Sequence, residues 1–177
     1  MQDTYRNKIL ESKQNNAPLF LESLWEPEYT WSNFIDALNT CYKPEKTLGD
    51  YVGKEVFGSV NFWSRLTVTL DSVTEKHFPG LQQKIDFLKN ITLCDFHGCF
   101  SIISFTNLEP TTGNHSDPIN VIYYQTIGSA VWEVSHNDVR SRFVLKPGDA
   151  IYVPSGLMHE VTSLSPRAAL SFMFADA

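Results

Sequence analysis

The apolar positions of this chain change their period near residue 99. Upstream, Trp31, Phe34, Ile35 and Leu38 fall at i, i+3, i+4 and i+7, and Leu81, Ile85 and Leu88 make a second stripe. That spacing gathers each set on one helical face, so helices are expected over 31–39 and 81–89. Thr30 or Ser32 can cap the first, Tyr42-Lys43-Pro44 ends it, and Pro79 opens the second. Pro18-Leu19-Phe20-Leu21 reads as a short edge strand, with proline where a missing donor is tolerated. Residues 1–16 are polar and end in Gln14-Asn15-Asn16, which suits a loose helix or a frayed tail. Between Leu48 and Leu70, Gly49, Gly53 and Gly58 give way to the alternating Arg65-Leu66-Thr67-Val68-Thr69-Leu70, a loop followed by a strand.

From Cys99 onward short β-rich segments follow in quick succession, near 100–107, 120–127, 130–134, 141–145, 150–153, 158–163 and 167–174. Many short strands broken by Gly, Pro and Asn turns indicate a barrel or sandwich, not a parallel sheet. In the last segment Arg167, Ala169, Ser171 and Met173 share one face, and Leu170, Phe172 and Phe174 the other. A jelly roll with one polar pocket accommodates both faces. At 177 residues the chain reads as one domain: a polar tail over 1–16, a helical and mixed region over 17–98, and a β core over 99–177.

Two segments hold the candidate chemistry. One is Thr112-Gly113-Asn114-His115-Ser116-Asp117, and the other runs from Gly148-Asp149 through Pro154-Ser155-Gly156 to His159. If both lie on strands, His115 and Asp117 share a face, and a neighbouring strand brings His159 to it. Two imidazoles and a carboxylate on one side of an ion leave about three coordination positions open, the facial triad of non-haem iron(II) oxygenases. Taken singly, a His-x-Asp triplet arises by chance, and a lone His in an apolar strand is commonly a core residue. It is their combination, in this order, that points to a site. His77 and His97 have no partner at metal spacing and read as packing or surface residues.

The Gly-x5-Pro-x-Gly-x2-His run from Gly148 to His159 resembles the second cupin motif. His115 and Asp117, with Gln125, Gly128 and Trp132 downstream, resemble the JmjC-like, cupin-8 type branch of that superfamily. The likeness covers most of the chain, strongly from Thr112 onward and weakly between Lys43 and Gly98. It implies a mainly β fold, a double-stranded β-helix (the cupin jelly roll) with N-terminal and mid-chain helices packed outside. It also implies an Fe(II)- and 2-oxoglutarate-dependent dioxygenase acting as a hydroxylase, with His115, Asp117 and His159 as metal ligands. Many JmjC-like members carry Lys or Arg two residues after the glycine matching Gly128, where this chain has Ala130. Arg167 takes the position that other branches use for the distal carboxylate of 2-oxoglutarate, with Ser171 on the same face. Thr112 matches a hydroxyl position of the JmjC-like relatives, and Asn120 is a further candidate facing the cosubstrate.

Charge and cysteine usage narrow the picture. A formal net charge of −6 argues against a nucleic-acid footprint. No apolar run approaches the ~20 residues a membrane-spanning helix needs. Cys41, Cys94 and Cys99 cannot all pair and fit no common zinc spacing, so reduced thiols in a cytoplasmic protein are expected. Aromatic Tyr123, Tyr124 and Trp132 belong either to the pocket mouth or to the core. The short interval from Asp117 to His159 favours a small-molecule or flexible peptide substrate. A symmetric homodimer is the usual assembly for such folds. Two other readings stand beside the oxygenase: a metal-dependent cupin dioxygenase or isomerase without 2-oxoglutarate, and a non-catalytic metal- or ligand-binding cupin.

Overall fold

The computed structural model describes residues 2–41, 67–71, 73–105 and 113–176. The polar N-terminus is a helix, α1 (Gln2–Gln14). Its sequence is only weakly amphipathic, so docking fixes it. Ile9 is fully buried, Tyr5 meets Phe87 edge to face, and Arg6 Nε donates to the Asn90 carbonyl at 2.9 Å. The expected helices both form, as α2 (Trp31–Cys41) and α3 (Leu81–Thr92), each running two or three residues past its anticipated end. At the start of α2 the Asn33 side-chain oxygen accepts from the Thr30 N–H at 2.9 Å and from its hydroxyl at 3.1 Å, which ties the first turn to Thr30 and not to Ser32. The first turn of α3 is capped from outside: the Glu75 carboxylate accepts the Gly80 and Gln82 N–H groups at 2.6 and 2.8 Å. These bonds favour the ionised form and lower the Glu75 pKa.

Among the described residues nine strands build two antiparallel sheets. They are β1 (Leu19–Leu21), β2 (Thr67–Leu70), β3 (Asp95–Ser104), β4 (Asn120–Ile127), β5 (Ala130–His136), β6 (Val139–Leu145), β7 (Ala150–Val153), β8 (His159–Ser163) and β9 (Arg167–Ala175). One sheet has the order β1-β7-β4-β9-β3-β2 and the other β6-β5-β8. The strand opened by Pro18 lies at a sheet edge, as its missing donor requires. The strand expected from residue 100 begins earlier, at Asp95, because β9 pairs with β3 along its whole length, from Asp95↔Ala175 to Ser104↔Arg167. The loop expected from residue 48 lies outside the described residues up to residue 66, and β2 is the strand that ends it.

Strand alternation divides the core in two. Ile122, Tyr124, Leu170, Phe172 and Phe174 pack with Phe34, Leu88 and Ile91 beneath the helices. Val121, Tyr123, Ala169, Trp132 and Val161 face inward, between the sheets. Full burial of each large apolar side chain stabilises the fold by roughly 1.5–3 kcal/mol. The inner cluster is the thinner of the two, and a cavity opens within it.

Candidate metal centre

The cavity, about 200 Å³, lies between the sheets. His115, Asp117 and His159 border it, together with Tyr123, Trp132 and Arg167. His159 begins β8 and is 2% exposed. His115 is not on a regular strand. It forms a single antiparallel bridge to His159, with His115 N–H bonded to the His159 carbonyl at 2.9 Å and the reverse bond at 2.7 Å. Asp117 lies in irregular chain, and its carbonyl accepts the Gly156 N–H at 2.8 Å. The Pro154-Ser155-Gly156 turn thus pins the segment carrying the carboxylate. The expectation that His115 and Asp117 share a strand face is corrected on this point: a bridge and a turn bring them together.

Each histidine is oriented by its own backbone. His159 Nδ1 lies 2.9 Å from the Leu157 carbonyl and His115 Nδ1 3.0 Å from the Gly113 carbonyl. A carbonyl oxygen only accepts, so Nδ1 of each ring carries a hydrogen, and in the neutral tautomer this selects, the lone pair offered to a metal is on Nε2. His159 Nε2 is 3.6 Å from Asp117 Oδ2. One ligand atom from each of the three residues lies within 4.8 Å of the others, a grouping that could hold a single metal ion. Burial pushes the His159 pKa below its ordinary value, with the His115 ring adding to the effect against the Leu157 bond and Asp117. Trp132 stacks on the His159 ring at 5.1 Å and 22° and holds it in plane.

Arg167 opens β9 in the same cavity. It is 1% exposed, its Nε donates to Ser163 Oγ at 2.8 Å, and its guanidinium carbon lies 5.6 Å from the Tyr123 ring centroid. Burial lowers its pKa to about 10, so it remains a cation at neutral pH. Ser163 also meets Ser104 Oγ at 3.1 Å, which takes a 3.0 Å bond from Thr67, a hydroxyl chain beneath the guanidinium. Fully buried Ala130 stands directly opposite Ser163 in the β5–β8 register. The serine that holds the guanidinium therefore has a small side chain as its cross-strand neighbour, and the cation itself comes from β9. Gly128 makes the arrangement possible. It adopts φ +69°, and a Cβ there would meet the Pro166 carbonyl oxygen at 2.3 Å. Only glycine lets the β4–β5 turn approach the turn that launches Arg167.

Of the other expected site residues, Ser171 lines the cavity and Thr112 lies outside the described residues. Asn120 is not brought to the cavity. It sits on the opposite face of β4, where it bonds Asp176, the Tyr152 hydroxyl and the Ser155 N–H. Tyr123 and Trp132 line the site, whereas Tyr124 packs under the helices. Thr67, Thr69, Phe100 and Met173 also border the cavity and were not singled out from sequence. The alternation at 65–70 placed the two threonines on one face, which was the available signal.

The residues fit a metal with an anionic chelator. The donor set is two neutral nitrogens and one carboxylate, and a buried cation stands in the same cavity. The Tyr123 hydroxyl and Trp132 indole N–H are buried without a protein partner among the described residues, on side chains that border this space. An oxygen-rich guest would satisfy them.

No family profile and no curated protein matches the chain. Solved structures do. The chain is similar to the Escherichia coli protein YcfD, at 17% identity and TM-score 0.69 over 97% of this chain and 53% of that one. A YcfD structure described as a ribosomal oxygenase with cobalt and 2-oxoglutarate matches at 17% identity and TM-score 0.65, covering 97% and 51%. SnoN, described as a non-haem α-ketoglutarate-dependent epimerase of nogalamycin biosynthesis, matches at 10% identity and TM-score 0.66, covering 99% and 84%. The chain spans about half the length of YcfD. It shares with these proteins the double-stranded β-helix, or jelly-roll, fold; one of these structures is described with 2-oxoglutarate bound and another as α-ketoglutarate-dependent.

Proposed function

We propose that this chain is a non-haem iron(II), 2-oxoglutarate-dependent oxygenase that hydroxylates a small molecule or a peptide side chain. The observation that carries the proposal is the convergence of His115, Asp117 and His159 on a cavity that also holds a buried arginine. The names given to YcfD and SnoN support it.

Nε2 of His115, Nε2 of His159 and an Asp117 carboxylate oxygen would hold the iron. Iron(II) with its keto-acid cosubstrate supplies activation of dioxygen for C–H cleavage. Arg167 would bind the distal carboxylate, with Ser163 fixing its Nε and so the orientation of the guanidinium. The Tyr123 hydroxyl and Ser171 would complete that anion site. Trp132 and Val161 make part of the cavity wall apolar, which would strengthen the charged contacts on that side. SnoN shows that cofactor dependence of this kind is described for epimerases too, and the same residues would serve that outcome. No helix among the described residues is long and apolar enough to cross a membrane. We place its work in the cytoplasm, where thiols such as Cys41, Cys94 and Cys99 stay reduced.

Anaerobic addition of Fe(II) and then 2-oxoglutarate tests the proposal. A visible charge-transfer band should appear in the parent and be lost in His115→Ala and Arg167→Ala. A band that survives Arg167→Ala moves the anion site elsewhere. No band in the parent favours a cupin that does without 2-oxoglutarate.

A further inference from the structure

The cavity beside the triad is small. At about 200 Å³ it falls below the roughly 300–1,000 Å³ of ordinary small-molecule sites. A dicarboxylate reaching from the triad to Arg167 would occupy most of it. The body of a substrate therefore needs space elsewhere, and a second cavity of about 410 Å³ adjoins the first. Phe100 and Met173 border both.

The second cavity is opened by a local irregularity. The β3–β9 register shifts between Phe96 and Gly98. Gly98 has no side chain to close the gap, and a Cβ there would touch the Met173 terminal methyl at 3.1 Å. Val73, Ile85, Phe96 and Cys99 make the further wall, with Asp71 and His97 exposed at the rim. No Lys or Arg is among the described lining residues, so the wall offers no anion site. Burial raises the Cys99 pKa beyond the ordinary thiol range, so that side chain contributes as a neutral apolar group. Methionine is the most adaptable apolar side chain, and Met173 can swing to join the two spaces.

We propose that this second cavity receives an uncharged aromatic or branched aliphatic group of the substrate, with Met173 as the movable wall between that group and the metal-side cavity. The inference rests on the oxygenase reading for the word substrate, and its test separates the two. The chain has three methionines, Met1, Met158 and Met173, so methyl-labelled methionine gives a simple NMR spectrum. Co(II) serves as the metal probe and toluene as the ligand probe. Toluene should shift the Met173 methyl saturably, and Co(II) should shift the same methyl through its paramagnetism. Val73→Trp, which fills the second cavity from the side away from the triad, should abolish the toluene response and keep the Co(II) response. A Met173 signal indifferent to toluene, or equally responsive in Val73→Trp, overturns the inference. Failure of Co(II) alone to move Met173 counts against the metal reading and leaves the toluene arm interpretable.

Discussion

His115 and His159 exchange both backbone hydrogen bonds, at 2.9 and 2.7 Å, although 44 positions apart in the chain. The main chain therefore sets the distance between the two imidazoles. Side chains are free to be ligands without also being structural. His115→Ala should unfold, without metal, within about 1 kcal/mol of the parent, because the bridge survives the substitution. Chemical denaturation of metal-free samples checks this, and a much larger loss would mean that the ring itself supports the fold.

Burial of His159 makes metal-free stability depend on pH. Its folded pKa lies below the ordinary value of 6.5, so its contribution is fully present above that value. As pH falls below it, the unfolded chain takes up a proton that the folded chain refuses, and stability drops. Denaturation midpoints measured from pH 7.5 to 5.5 should fall, and the slope should be shallower in His159→Gln. An equal slope in both proteins would assign the effect to other groups.

Arg167 and Ala130 reach one corner from different strands, through Ser163. Arg167→Ala should weaken 2-oxoglutarate binding to the metal-loaded protein on the order of 30- to 1,000-fold, or about 2–4 kcal/mol. Metal affinity should be kept. Adding Ala130→Lys to Arg167→Ala should restore part of the loss, since a cation then enters that corner from β5. Calorimetric titration with the cosubstrate decides the matter, and a double variant no better than the single one would refute the exchange.

Gly128→Ala should cost about 2 kcal/mol or more, from positive φ combined with the contact on the Pro166 carbonyl. Thermal unfolding measures it, and a neutral result would mean that the two turns part easily.

Much of this architecture was legible in the chain. The period-3.6 stripes marked α2 and α3, and the alternation from Arg167 to Phe174 divided the final strand between cavity and covering layer as observed. The turn signals from Gly148 to Gly156 announced the approach to His159. Three features were harder to read. Helix α1 forms through tertiary contacts of Ile9, Tyr5 and Arg6, which its weak periodicity does not reveal. Asn120 shares a strand with Tyr123, but an odd offset sends it to the opposite face. The Nδ1 bonds that expose both Nε2 atoms depend on carbonyls two residues back, and no residue type encodes them.

His115, Asp117 and His159 should together hold one metal ion per chain. Titration with Co(II), followed by X-ray absorption of the loaded protein, tests it most directly. One equivalent should bind, with two imidazole nitrogens and oxygens completing the shell, and none in His159→Ala. No ion bound by the parent, or equal binding in His159→Ala, would contradict it.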